Sequence, residues 1–190
     1  VIDELMERLP DHVIMVHDEV YYHFVEEEDF PYAIDDVVKG RNVIGLHSLS
    51  KAYGLAGMRL GYAFTTPELA SYLHKLRRPF LINNLSMEGA IAALQDEAHI
   101  ARTRELVAKE KQAFYATFTK LGIHYWPSHT NFILFRSPIP TQQLIDACLQ
   151  HGVMIRSGET NGAMGCIRVS IGMPASNRAF FDALHTILAG

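Results

Sequence analysis

The sequence predicts an α/β fold, and three observations point to it. Short apolar runs at 13–16, 43–46 and 60–64 have the length and pattern of buried strands. Around them lie segments with helical apolar spacing and recognisable caps. After a long helical stretch, strands and helices alternate again with a changed character, which predicts two domains, 1–112 and 113–190.

Taken in order, residues 1–10 read as a helix already under way, with Ile2, Leu5, Met6 and Leu9 on one face. That start predicts a piece of a longer chain. The runs at 13–16 and 43–46 are apolar on both faces and read as parallel strands, with 60–64 a third of that kind. Residues 26–41 read as a loop with a short helix, the acidic Glu26-Glu27-Glu28-Asp29 being a solvated run. Thr66 caps a helix with Pro67 at its first position and Glu68 in its first turn. Leu69, Tyr72, Leu73 and Leu76 form its apolar stripe, and Pro79 stops it.

The pattern stays helical over 86–121, with a break expected near His99 and Gly122 as the exit. A strand at 131–135 precedes a helix at 141–150 that turns Leu144, Ile145, Cys148 and Leu149 inward. Gly152 stands where a left-handed cap belongs. Strands at 153–156 and 167–171 follow. A closing helix at 176–188 buries Phe180, Phe181, Leu184 and Leu188.

Composition excludes several function classes. The 190 residues are 48% hydrophobic, enough for a sizeable core. A net charge of −4 without a basic patch argues against a nucleic-acid partner. No apolar stretch approaches the ~20 residues of a membrane span, and the first residues lack a signal-peptide layout. Cys148 and Cys166 give no disulfide framework, which fits a reducing cytoplasm. The ten histidines show no metal-binding spacing, so no metal site is expected.

Ligands of open α/β sheets bind at the carboxyl ends of strands. Asp18 ends the first predicted strand, and Ser48-Leu49-Ser50-Lys51 ends the second. Glycines 54, 57 and 61 follow, with Arg59 among them. An acid, two hydroxyls, a lysine and an arginine are thereby expected on one rim.

The stretch 48–62 (S-L-S-K-A-Y-G-L-A-G-M-R-L-G-Y) resembles the cofactor-lysine signature of fold-type I pyridoxal-phosphate enzymes. The class I/II aminotransferases, and their histidinol-phosphate branch in particular, are the nearest in pattern. Asp18-Glu19-Val20-Tyr21 resembles the family's D-E-x-Y element. Residues 167–172 (I-R-V-S-I-G) resemble its carboxylate-binding strand. The resemblance runs through the chain in the family's order. It implies the C-terminal part of the large-domain sheet plus the small C-terminal α/β domain.

The resemblance also implies roles. Lys51 would bear pyridoxal 5'-phosphate and act as the base at the substrate Cα. Asp18 would pair with the ring nitrogen, Tyr21 would donate to the ring oxygen, and Ser48, Ser50 and Arg59 would hold the phosphate. Arg168 would take the substrate carboxylate. Arg156, in a G-[IV]-x-[IV]-R-like element, would meet the distal or phosphate end, and Asn131 would line the site. Amino-acid and 2-oxo acid substrates and a homodimer follow from the same likeness.

Two departures qualify it. The family's N-P-x-N-P-T-G-like turn, stacking aromatic and phosphate loop ahead of Asp18 are absent. Phe80-Leu81-Ile82-Asn83 stands where the histidinol-phosphate branch typically has Tyr-Asn-Val-Asn. Two alternatives therefore stand beside transamination: a decarboxylase resembling threonine-phosphate decarboxylases, and a truncated chain that binds without catalysing.

Overall fold

Helix α1 (Ile2–Arg8) opens the chain with acidic residues in its first turn and Arg8 in its last, complementing the helix dipole. The computed structural model describes residues 2–189; Val1 and Gly190, the outermost residues of the sequence reading, lie outside them. Two compact units divide the chain at Ile100 and Ala101.

In the first unit, β1 (Met15–Asp18) starts later than the apolar run suggested. Val13 is used in a turn, its N–H bonding the Pro10 carbonyl, and Met15 is the first residue to pair with the neighbouring strand. That neighbour, β2 (Val43–Ser48), runs parallel to β1 as expected. The third strand, β3 (Gly61–Thr65), is antiparallel to β2, which corrects the parallel reading. The physical reason is loop length: the chain returns from Ser48 to Gly61 without the crossover helix a parallel return needs.

Period-two alternation gives this sheet two distinct faces. Val16, Asp18, Leu46 and Ser48 fall on one. His17, Gly45, His47, Tyr62 and Phe64 fall on the other. Helix α2 (Ala33–Val38) packs on β2 and β3, with Ala33 fully buried. Val16 is 55% exposed, so β1 is not buried on both faces among the described residues.

Helix α3 (Pro67–Lys75) has the Thr66 cap read from the sequence, Oγ1 accepting from the Leu69 N–H at 3.5 Å. Its apolar stripe is not buried: Tyr72, Leu73 and Leu76 are exposed. It also ends ahead of Pro79, closing with a Leu76 N–H to Leu73 carbonyl bond. The expected break in the next helical stretch falls at Asp96. Helix α4 (Asn84–Gln95) ends there, and α5 (Glu97–Lys120) begins with the His99 N–H bonded to Asp96 Oδ1 at 2.9 Å.

The second unit is an antiparallel sheet in the order β4-β5-β7-β6 with helices. Its strands are β4 (Tyr125–Trp126), β5 (Phe132–Arg136), β6 (Arg156–Ser157) and β7 (Cys166–Ser170). The expected strand at 153–156 survives only at its end, because the Val153 N–H turns back to the Cys148 carbonyl. β4 was not legible at its length. Helices α6 (Thr141–Gln150) and α7 (Pro174–Ala189) pack on each other. Leu144 and Cys148 of α6 are buried as read, whereas Leu149 is 58% exposed. Phe114, Phe118, Phe135 and Phe180 form an aromatic core with ring centroids 4.7–6.4 Å apart. Both cysteines are free and buried.

Candidate active site

The carboxyl ends of β1 and β2 place the acid and the hydroxyls. Asp18 is the last residue of β1, and its Oδ1 accepts the Val20 N–H at 3.2 Å, turning the chain away from the strand. Ser48 ends β2 and does the same, its Oγ accepting the Ser50 N–H at 3.0 Å. Lys51 follows directly. Its ammonium Nζ lies over the Tyr21 ring, 5.2 Å from the centroid.

What fixes this loop is apolar. Leu49, Ala52 and Leu60 are buried, Leu49 and Leu60 packing with Ala90. The Leu49 N–H bonds the Leu60 carbonyl at 3.1 Å, and the Leu55 N–H bonds the Leu49 carbonyl at 3.0 Å. Leu49 and Ala52 are thus pinned inward, while Ser48, Ser50 and Lys51 stay partly exposed. Gly61 is needed at the loop's end, since a Cβ there would lie 2.7 Å from the His47 carbonyl oxygen.

Arg59 closes the turn in a left-handed conformation, φ 54°, uncommon for a residue with a Cβ. One guanidinium nitrogen donates to the Ala56 carbonyl at 2.8 Å, and the side chain is otherwise exposed. Asp18, Leu46, Ser48, Ser50, Arg59 and Ala63 line one open cleft of about 370 Å³. The first unit therefore brings together an acid, two hydroxyls and a guanidinium, with Lys51 and Tyr21 in contact beside them.

The remaining candidates lie on the second unit. Arg156 and Arg168 are directly opposite each other across β6 and β7. The Arg168 guanidinium lies 3.9 Å from the Phe132 ring centroid and is half-buried, while Arg156 is exposed. Asn131 precedes β5, and its carbonyl accepts the Ile171 N–H at 2.8 Å. The end of β7 is held by Asn177, whose Oδ1 accepts the Gly172 N–H and whose Nδ2 donates to the Gly172 carbonyl and to buried Glu110.

Reading residues singly missed the polar group on the opposite face of the first sheet. Buried Glu19 accepts from the Ala33 N–H at 2.6 Å and contacts His47 Nε2 at 2.9 Å. The available signal was alternation: if Asp18 faces the cleft, positions 17, 19 and 47 face away from it. Tyr22 stacks on His47 there. Burial, and then the neighbouring phenols of Tyr62 and Tyr53, push the Tyr22 hydroxyl well above its usual pKa. Tyr62 is pushed up too, mainly by burial. Among the described residues, no group of His, Cys, Asp and Glu is arranged to hold a metal ion, and no helix is long and apolar enough to cross a membrane.

Comparison with known proteins places this geometry. The histidinol-phosphate aminotransferase of Moorella thermoacetica is 39% identical over 189 residues, 99% of this chain and 49% of its own. The structure of histidinol-phosphate aminotransferase from Sinorhizobium meliloti, in complex with pyridoxal-5'-phosphate, superposes with a TM-score of 0.88 at 28% identity. It spans 99% of this chain and 52% of that one. L-threonine-O-3-phosphate decarboxylase from Porphyromonas gingivalis gives 0.85 at 28% identity, over 100% of this chain and 59% of its own. The chain spans about half the length of the curated relatives it matches. These neighbours bear out the α/β fold as part of the pyridoxal-phosphate-dependent aminotransferase fold. The family model for aminotransferase class I and II matches residues 2–184, a span that takes in the Asp18, Lys51 and Arg168 segments alike, and the chain belongs to that family.

Proposed function

We propose that this chain is part of a pyridoxal-phosphate-dependent aminotransferase. The enzyme would move an amino group between an L-amino acid, histidinol phosphate among the candidates, and a 2-oxo acid. The observation that carries the reading is the shared cleft of Asp18, Ser48, Ser50 and Arg59, with Lys51 over Tyr21 beside it. When bound, pyridoxal phosphate supplies an aldehyde for a lysine amine and an electron-accepting ring.

The donor set fits that group. Arg59, Ser48 and Ser50 would hold the phosphate through a planar fork and two hydroxyls. Asp18 would keep the ring nitrogen protonated, and Tyr21 would donate its phenol hydrogen to the ring oxygen. Lys51 Nζ would take the proton from the substrate Cα and return it. On the second unit, Arg168 would bind the substrate α-carboxylate, Arg156 its distal or phosphate end, and Asn131 would line the site.

The same proposal takes 1–112 as part of the cofactor-binding large domain and 113–190 as the small domain. It also includes a homodimer and a cytoplasmic location. A second reading, decarboxylation, is favoured by the likeness to the Porphyromonas gingivalis enzyme. The same Lys51 and Asp18 would serve it.

The test uses the intact protein that carries this sequence, loaded with pyridoxal phosphate. A visible absorbance band is expected that disappears in Lys51→Ala. With an amino donor and a 2-oxo acid, formation of the new amino acid without carbon dioxide is expected. A band unchanged by Lys51→Ala overturns the cofactor assignment, and carbon dioxide release selects the decarboxylase.

A further inference from the structure

Beside the candidate cleft, and reaching its rim at His47 and Tyr62, lies a polar chain that the roles above do not use, buried at its Glu19 end and exposed at Tyr62. Glu19 is only 3% exposed. A buried carboxylate costs several kcal/mol unless its oxygens are satisfied, and here they are shared among three elements. Oε1 accepts the Ala33 N–H at the start of α2 (2.6 Å), with His17 Nδ1 3.6 Å away. Oε2 faces His47 Nε2 at 2.9 Å. The other nitrogen of that ring, Nδ1, lies 2.8 Å from the Tyr62 hydroxyl on β3. The Glu19 N–H also extends the β1–β2 ladder by bonding the Leu46 carbonyl at 3.0 Å.

The position of this chain in the sequence is as telling as its bonds. Glu19 is next to Asp18. His47 is next to Ser48. Tyr22, stacked on the His47 ring at 4.1 Å and 15°, is next to Tyr21. Each of these three residues is therefore the backbone neighbour of a candidate cofactor contact. Adjacent residues in a strand project to opposite faces, so fixing His47 fixes the direction of Ser48, and fixing Glu19 where the ladder ends fixes that of Asp18.

We propose that Glu19 is a positioning residue. Through His47 and the first turn of α2 it holds the strand ends that aim Asp18 and Ser48, and it sets the tautomer of His47. This rests on the pyridoxal-phosphate reading for what is positioned, though not for the tautomer. A carboxylate only accepts, so His47 Nε2 carries the hydrogen. In the neutral ring, Nδ1 then accepts from the Tyr62 hydroxyl, and a donor–acceptor chain runs from Tyr62 through His47 to Glu19.

Glu19→Gln tests the direction of that chain. The Ala33 N–H still requires an oxygen, so the carboxamide nitrogen turns to His47. Nε2 must then accept, and the ring hydrogen moves to Nδ1, which donates to Tyr62. In the intact, cofactor-free protein, ¹⁵N spectra of the His47 ring are expected to show the Nε2–H tautomer in wild type and Nδ1–H in Glu19→Gln. The same tautomer in both proteins overturns the proposal.

The positioning half is read from affinity for pyridoxal phosphate, followed by absorbance. Glu19→Ala is expected to weaken it at least tenfold, and Glu19→Gln by no more than about threefold, because the amide keeps both contacts. A folded Glu19→Ala protein with wild-type affinity overturns this half. Should Glu19→Ala fail to fold, the Glu19→Gln tautomer decides alone. A wild-type protein that shows the Nε2–H tautomer but binds no pyridoxal phosphate refutes the functional reading and leaves the tautomer assignment standing.

Discussion

Lys51 Nζ stands 5.2 Å from the centroid of the Tyr21 ring. The amine proposed to bear the cofactor thus rests on the π face of the phenol, while the proposed cofactor contact belongs to the hydroxyl. Mutation can divide the two. Tyr21→Phe keeps the ring and is expected to retain the cofactor. Its kcat/KM should fall about 10- to 100-fold, the loss of one hydrogen bond to a charged group. Tyr21→Leu loses ring and hydroxyl together and should fall further. Steady-state kinetics on the two variants checks this, and equal losses would deny the ring any part.

Arg59 holds a left-handed backbone at φ 54°. For a residue with a Cβ that conformation costs about 1–2 kcal/mol, and such strain clusters at functional sites. Arg59→Gly separates stability from function. The cofactor-free protein should be as stable in urea as wild type, or more stable by up to about 1 kcal/mol. Affinity for pyridoxal phosphate should nevertheless fall at least tenfold with the guanidinium gone. A fall in both quantities would mean that Arg59 is held for packing.

Much of the candidate site could be read from the chain because its determinants are local. Asp18, Ser48 and Lys51 each lie at or just past a strand end, and strand ends follow from apolar runs. Thr66 and Gly152 acted as cap residues for equally local reasons. Two kinds of feature were not legible. The direction of β3 depends on how the loop 49–60 folds back, which an apolar run cannot encode. The Glu19–His47–Tyr62 chain depends on strand register and on α2 arriving at the far face, both of them long-range. Tyr72, Leu73 and Leu76 form a stripe that stays exposed, because an apolar stripe states only that something can cover it.

Gly45 faces Phe64 across β2 and β3, and the aromatic ring occupies the space a Cβ would need. Gly45→Ala is therefore an overpacking mutation, expected to cost about 1–3 kcal/mol in urea unfolding. Phe64→Leu in the same chain should recover part of that loss. Additive effects in the double-mutant cycle would show that the two sites do not share the space.

The far face also predicts an alkaline limit to stability. Burial first, and then Tyr62 and Tyr53, raise the Tyr22 pKa above its ordinary 10.0. The folded state thus retains a proton that the unfolded chain gives up earlier. Tyr22's contribution is complete below pH 10.0 and is lost as pH rises from there towards the folded value. Urea stability should hold to about pH 9 and decline above about pH 10, and Tyr22→Phe should decline less steeply. An identical slope in the variant would assign the alkaline loss to other groups.

Arg168 and Arg156 oppose each other across β6 and β7 but differ in setting. Arg168 is half-buried and stacked 3.9 Å over Phe132, whereas Arg156 is exposed. A stacked guanidinium has one plane fixed before any ligand arrives, which suits bidentate binding of a planar carboxylate. Lysine cannot reproduce the fork, so Arg168→Lys should lower kcat/KM about 100-fold for every amino donor. Among the described residues Arg156 has no such stack, and an exposed cation of this kind suits the higher charge of a phosphate. Arg156→Met should therefore weaken turnover of histidinol phosphate about tenfold or more and leave a donor without phosphate nearly unchanged. Comparing the two donors in each variant separates carboxylate recognition from distal recognition, and equal losses in Arg156→Met would remove Arg156 from the distal role.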